Sequence, residues 1–206
     1  MKKFHKLPLK KIKKYATISV ERNLRYMLKA VLSKKDVMEC NDYISCVFDL
    51  LENENVLKLR NFNHHIGTTR FQHSLNVSYY NYLLCRFLKL DAKSAARAGL
   101  LHDLFFYDRR KHEKGIGESS HVSEHPKIAF FNASEMFSIN ELEGDMIYNH
   151  MWPATAHLPR HRETFVITFV DKFCAVAEVA SSVKSRFKVR KKRTSSAQSV
   201  QLTVDS

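Results

Sequence analysis

Thr69-Arg70-Phe71-Gln72-His73-Ser74-Leu75-Asn76-Val77 and, some twenty residues on, Ala98-Gly99-Leu100-Leu101-His102-Asp103-Leu104 are the two stretches on which the fold turns. In the first, His73, Val77, Tyr80 and Leu84 recur at three- and four-residue steps, the period of an α-helix, and form one row that faces inward with apolar neighbours. The second is an apolar helix closed by an imidazole and a carboxylate side by side. Adjacent helical residues diverge by about 100°. One metal in the seam between them could take both groups, or the two could diverge toward two metals. Taken alone, His73 reads more readily as a satisfied core histidine than as a ligand.

Outward from these stretches the helical period persists. Only five glycines and four prolines punctuate 206 residues, which predicts an all-α fold, a helical bundle of about seven helices. The expected helices run over about 17–32, 35–51, 69–88, 92–101, 126–137, 141–151 and 164–182. Asp91 is placed to N-cap the helix from Ala92, Asn140 and Glu143 have the spacing of a capping box, and Pro126 suits a first helical position. Residues 109–123 read as a long loop. The last helix carries Phe165-Val166-Ile167-Thr168-Phe169-Val170-Asp171-Lys172-Phe173-Cys174-Ala175-Val176-Ala177, apolar on nearly every face around one aspartate. A buried, unpaired carboxylate is costly. Asp171 therefore calls for a metal, Lys172, or a histidine or arginine from another helix, unless Asp171-Lys172 forms an exposed stripe.

The formal charge of +13 suggests nucleic acid or a membrane surface as partner. It resides at the ends: seven lysines in residues 1–14 and seven basic residues from Lys184 to Arg193, with a formally neutral body between them. The domain reading is a basic N-terminal extension (1–14), a helical domain (15–183, core 62–178), and a basic, then Ser/Thr/Gln-rich tail (184–206) expected to be disordered. The basic ends could contact RNA or an anionic membrane. Cys40, Cys46, Cys85 and Cys174 lack C-x-x-C spacing and read as reduced core thiols, which favours a cytoplasmic setting. The basic start offers no adequate apolar stretch for a secretory signal, and Asp171-Lys172 cuts the most apolar run well before it could span a bilayer.

His73, the doublet His102-Asp103 and the late Asp171 together resemble the signature of the HD-domain superfamily of metal-dependent phosphohydrolases, over roughly residues 62–178. His125, in Ser123-Glu124-His125-Pro126, and His150, in Tyr148-Asn149-His150-Met151-Trp152-Pro153, look like the two additional histidines of its dinuclear subgroups. The resemblance implies one metal on His73, His102, Asp103 and Asp171, and a second on His125 and His150 with Asp103 bridging. The Gly-Tyr-Pro element of the cyclic-di-GMP-degrading subgroup is lacking. Such a site implies one or two divalent transition metals, Fe, Mn, Zn or Co. Two ions about 3.5–4 Å apart can lower the pKa of a bridging water toward neutrality, with His102 and Asp103 at the catalytic centre. The implied activity is a phosphomonoesterase or phosphodiesterase acting through metal-activated hydroxide on a small, nucleotide-like phosphorylated substrate.

Arg70, one turn before His73, is a candidate phosphate ligand or a structural ion pair. Lys127, Arg109, Arg110 and Lys172 are further candidates for the phosphate. His64-His65 reads as a second layer around the site or as a polar turn, and His112, His121, His157 and His161 as surface residues. The same ligand pattern also resembles the mixed-valent di-iron oxygenases related to inositol oxygenase. A third possibility is a non-catalytic, ligand-sensing domain whose basic ends bind RNA or membrane.

Overall fold

The computed structural model describes residues 30–33, 37–65, 67–108 and 121–204. Expectations for the N-terminal extension, for residues 17–29 of the first helix, and for Arg109, Arg110 and His112 lie outside them. The fold is all-α, with seven α-helices among the described residues. In chain order they are α1 (Asn41–Leu51), α2 (Glu54–Lys58), α3 (Arg70–Phe87), α4 (Ala92–Leu101), α5 (His121–Met136), α6 (Glu141–Asn149) and α7 (Arg162–Val204). Short 3-10 turns at Val37–Glu39 and Leu59–Asn61 precede α1 and follow α2. One small antiparallel hairpin, β1 (Asn63–His65) with β2 (Thr68–Thr69), leads into α3. Gly67 takes φ +83° in its turn, a conformation that glycine adopts without a Cβ penalty.

The helix starts have local causes. Thr69 accepts from the Gln72 amide (3.2 Å) and Asp91 from the Ser94 amide (3.0 Å). Asn140 and Glu143 form the expected capping box, each side chain accepting from the other's backbone N–H at 2.8 and 3.0 Å. Pro126 departs from expectation. It lies inside α5, which begins at His121, so it cannot supply the N–H that Val122's carbonyl would receive. α7 also runs past residue 182, to Val204, where coil was expected. Residues 183–204 contain neither glycine nor proline, and their Lys, Arg and Gln are favourable helix formers.

The core is built on the α3–α4 pair. Ala95, Ala96, Ala98 and Gly99 present small surfaces to α3, and a Cβ on Gly99 would stand 2.6 Å from Ser78 Cα. That close approach is pinned by Ser78, whose hydroxyl donates to the Ala96 carbonyl (2.6 Å) and pairs with the Tyr43 hydroxyl of α1 (2.8 Å). α7 packs across α3 through Ile167, Val170, Cys174 and Ala177. At its start, buried Asp145 of α6 accepts from the Arg160 and His161 amides (3.1 and 3.2 Å), Asn149 Nδ2 (2.8 Å) and the Thr164 hydroxyl (2.5 Å). The four cysteines are free. No helix among the described residues is long and apolar enough to cross a membrane.

Candidate metal centre

Five elements converge where α3, α4, α5 and α7 meet the turn after α6. α3 carries His73; His102 is the C-cap of α4, with Asp103 next to it; α5 carries His125; His150 is the C-cap of α6; and α7 carries Asp171. All but Asp171 are buried, and Asp171 is nearly so.

Three of the histidines are oriented alike. Each donates Nδ1–H to a backbone carbonyl within its own helical turn: His102 to Gly99 (2.9 Å), His125 to His121 (2.7 Å) and His150 to Ile147 (2.7 Å). A neutral imidazole bound this way keeps its lone pair on Nε2. The Nε2 atoms of His125 and His150 face each other at 2.9 Å, where two lone pairs have no proton to share. Nε2 of His102 is buried without a hydrogen-bond partner, 3.6 Å from Asp171 Oδ1, too long for such a bond. Buried polar atoms normally find partners. Nε2 of His102 and of His125 stand 3.6 Å from Asp171 and Asp103, and Nε2 of His150 meets that of His125, an arrangement that a cation could complete.

His73 is held differently. Its Nε2 lies 2.9 Å from Asp171 Oδ1, and its Nδ1 lies 3.0 and 3.2 Å from the two oxygens of Glu178. Glu178 also accepts from Asn76 Nδ2 (2.7 Å), whose own Oδ1 accepts from Gln72 Nε2 (2.9 Å) and the Val31 amide (3.1 Å). Asp103 turns Oδ1 toward His125 (3.6 Å) and Oδ2 toward His64 (3.4 Å) and His102 (3.9 Å), so its two oxygens look into two halves of the centre. Groups of ligand atoms within 4.8 Å of one another arise from His73, His102 and Asp171, from His102, Asp103 and His150, and from His64, His73 and Asp103.

The electrostatics divide the histidines differently. Burial would lower His102, but the carboxylates of Asp103 and Asp171 outweigh it and raise it. Burial lowers His125 and, reinforced by the neighbouring His102 and His125, holds His150 down to about 3. Both are therefore neutral donors near neutrality. Burial would also lower His73, but Asp171 and Glu178 outweigh it and push His73 up to about 10. Asp103 and Asp171 sit well below the ordinary carboxylate range despite their burial, because imidazoles surround them. Metal entry at His73 would displace a proton.

A cleft of about 170 Å³ opens onto this centre, lined by His64, Asp103, Phe105, His125, His150 and Asp171, with Lys172 at its edge. A larger hollow of about 770 Å³ lies elsewhere, between α5, α6 and residues 157–160. Of the phosphate candidates, Arg70 is buried with its fork spent on the Phe105 and Tyr107 carbonyls (2.7 and 3.1 Å), its guanidinium 3.5 Å over the Phe105 ring. It makes no ion pair of the expected kind and instead clips the segment after Asp103 to α3. Lys127 is exposed and pairs with Glu124 at 3.1 Å, away from the cleft. Lys172 is exposed, its ammonium donating to the Thr168 carbonyl at 3.2 Å.

His64, read as either a second layer around the site or a polar turn, stacks on His73 with centroids 3.8 Å apart and planes at 16°. Two further residues enter the centre that the sequence reading left outside. His121, expected at the surface, is half-buried: its ring stacks on His125 (4.7 Å) and its Nδ1 pairs with the Tyr107 hydroxyl (3.0 Å). Glu178 carried a usable signal, since it falls two helical turns after Asp171 on the same face of α7.

Fold and site together define an all-α protein with a buried histidine–carboxylate centre that could hold a metal ion. No family model matches the chain, and neither the curated proteins nor the solved structures contain a match to it.

Proposed function

We propose that this protein is a metal-dependent phosphohydrolase of the HD type, hydrolysing small, nucleotide-like phosphate esters with one or two Fe, Mn, Zn or Co ions in its centre. The observation that carries the reading is the set of imidazoles of His102, His125 and His150, each oriented by its Nδ1–H, gathered with Asp103 and Asp171 in one centre. Divalent ions held there would polarise a phosphoryl oxygen and lower the pKa of a water. The chain's own residues do the rest. Glu178 fixes the tautomer of His73 and raises its basicity, as carboxylates behind ligating histidines do. Asp103, with its oxygens turned to opposite sides, is placed to bridge. A cleft of about 170 Å³ admits a phosphoryl group while leaving most of a nucleotide outside, where Lys172 stands at the edge.

The test is metal content by mass spectrometry on protein purified without added metal, for the intact chain, His125→Ala and His150→Ala. Turnover of a panel of phosphomonoesters and phosphodiesters is measured in parallel under argon with Mn. The reading expects about two metals per chain, falling toward one in the variants with hydrolysis lost. Hydrolysis that survives in both variants, or activity that needs iron and O₂, would overturn it.

A further inference from the structure

The hollow of about 770 Å³ between α5, α6 and residues 157–160 shares no lining residue with the cleft over the metal centre. α6 serves both: Tyr148 and Asn149 line the hollow, and His150, one residue on, belongs to the centre. Cavities of about 300–1,000 Å³ suit an organic small molecule. The hollow falls in that range, and the cleft of about 170 Å³ does not. Aromatic rings form part of its wall. Tyr148 stands edge-on to Phe130, with centroids 5.7 Å apart and planes at 86°, and meets His157 at 5.4 Å and 66°. Rings in such a row offer faces and edges to a flat π-system.

The polar groups narrow the class of ligand. Asp145 lines the hollow, but its carboxylate is committed to the Arg160 and His161 amides, Asn149 Nδ2 and the Thr164 hydroxyl. The remaining charged side chains of the lining are exposed Glu141 and exposed Arg160, of opposite sign, so neither a cation nor an anion is favoured. Asn149 supplies direction. It is 6% exposed, its Nδ2 donates to Asp145 Oδ1 (2.8 Å), and its Oδ1 is buried with no hydrogen-bond partner. A buried amide oxygen without a donor is costly and uncommon. An N–H brought into the hollow by a ligand supplies that donor.

We propose that this hollow is a binding site for a neutral, planar nitrogen heterocycle of the nucleobase class, with its ring against Tyr148 and an N–H of its edge donating to Asn149 Oδ1. Aromatic stacking tolerates any base, because every base has a π-face. The acceptor at Asn149 selects rings that carry an N–H over purely apolar ones. The site needs neither a metal nor a phosphoryl group, so it stands or falls apart from the chemistry proposed for the centre.

The experiment is calorimetric titration of the full chain, as purified, with adenosine, guanosine, cytidine and uridine, which carry no phosphoryl group to engage the metal centre. Two variants run beside it. Ser134→Trp places a large ring in the hollow from an exposed position on α5. Asn149→Leu removes the acceptor at nearly constant volume, and circular dichroism checks that each variant keeps its fold. The proposal expects at least one nucleoside to bind with a Kd below about 1 mM, and this binding to persist after the metal is removed by chelation. Ser134→Trp should abolish it, and Asn149→Leu should weaken it by about tenfold. Absence of binding by all four nucleosides would overturn the proposal and leave the Asn149 acceptor to a buried water. Equal affinity in well-folded Ser134→Trp would overturn it as well, as would binding that disappears on chelation, which would put the nucleoside at the metal centre.

Discussion

Glu178 is the most informative residue to change, because its contribution to the centre is purely indirect. Its Oε1 accepts from both His73 Nδ1 (3.0 Å) and Asn76 Nδ2 (2.7 Å), deep in the protein at 2% exposure. Glu178→Gln preserves shape and one acceptor oxygen while removing the charge that makes His73 a stronger ligand. Second-layer carboxylates of this kind are worth about 10–100-fold in metal affinity, or about 1.4–2.7 kcal/mol. Glu178→Ala goes further, leaving two buried donors without acceptors at about 1–3 kcal/mol each, so it should lose roughly 2–6 kcal/mol of apoprotein stability as well. The assay is chelator competition with Co or Zn, read beside urea denaturation of the metal-stripped protein. Gln should weaken binding with little change in stability, and Ala should do both. Wild-type affinity in a well-folded Glu178→Gln would refute the idea that Glu178 tunes His73.

The metal-stripped protein should have a bell-shaped stability against pH. His73, pushed up to about 10 from an ordinary 6.5, contributes stability that is complete below about pH 6.5 and lost as pH rises toward 10. His150, held down to about 3, contributes stability that is lost as pH falls from about 6.5 toward 3. Urea midpoints that stay flat on both flanks would contradict this. Gly99→Ala should cost about 3 kcal/mol or more and loosen metal binding, since its Cβ would meet Ser78 backbone atoms at 2.6 and 2.8 Å and push apart the helices that carry His73 and His102. Equilibrium unfolding measures the first effect and metal titration the second. Arg70→Lys should lower stability by about 1–3 kcal/mol, because an ammonium cannot span the Phe105 and Tyr107 carbonyls as the guanidinium fork does. It should leave KM for a phosphate ester within about twofold; a large rise in KM would return Arg70 to the substrate.

Much of this arrangement is legible in the chain because helices write a period. The row through His73, the doublet after Leu101 and the lone aspartate in an apolar helix each follow from which face of a helix is buried, and the caps at Asp91 and Asn140 follow from local hydrogen bonding. What could not be read depends on chain reversal. His64 reaches Asp103 from a hairpin of five strand residues that leads into α3, a motif too short to leave an alternating pattern. α2, with five residues, is likewise below the length at which periodicity speaks. Arg70 lines the cleft, but its place one turn before His73 does not reveal that the Phe105 and Tyr107 carbonyls take up its guanidinium. His121 was grouped with surface histidines for its charged neighbours in sequence, whereas the turn of helix that starts there stacks it on His125.

His102 and His150 are the C-caps of α4 and α6, so two helices end with their carbonyl poles directed at the same few ångströms of space. Each such pole carries the equivalent of roughly half a negative elementary charge. With Asp103 and Asp171 these poles favour a cation in the centre, against the opposite poles of α3 and α5, whose first turns carry His73 and His125. An anion arriving without a metal would meet that field as a barrier. On the proposed phosphohydrolase reading, the bare protein should hold back free phosphate and a loaded centre should draw it in.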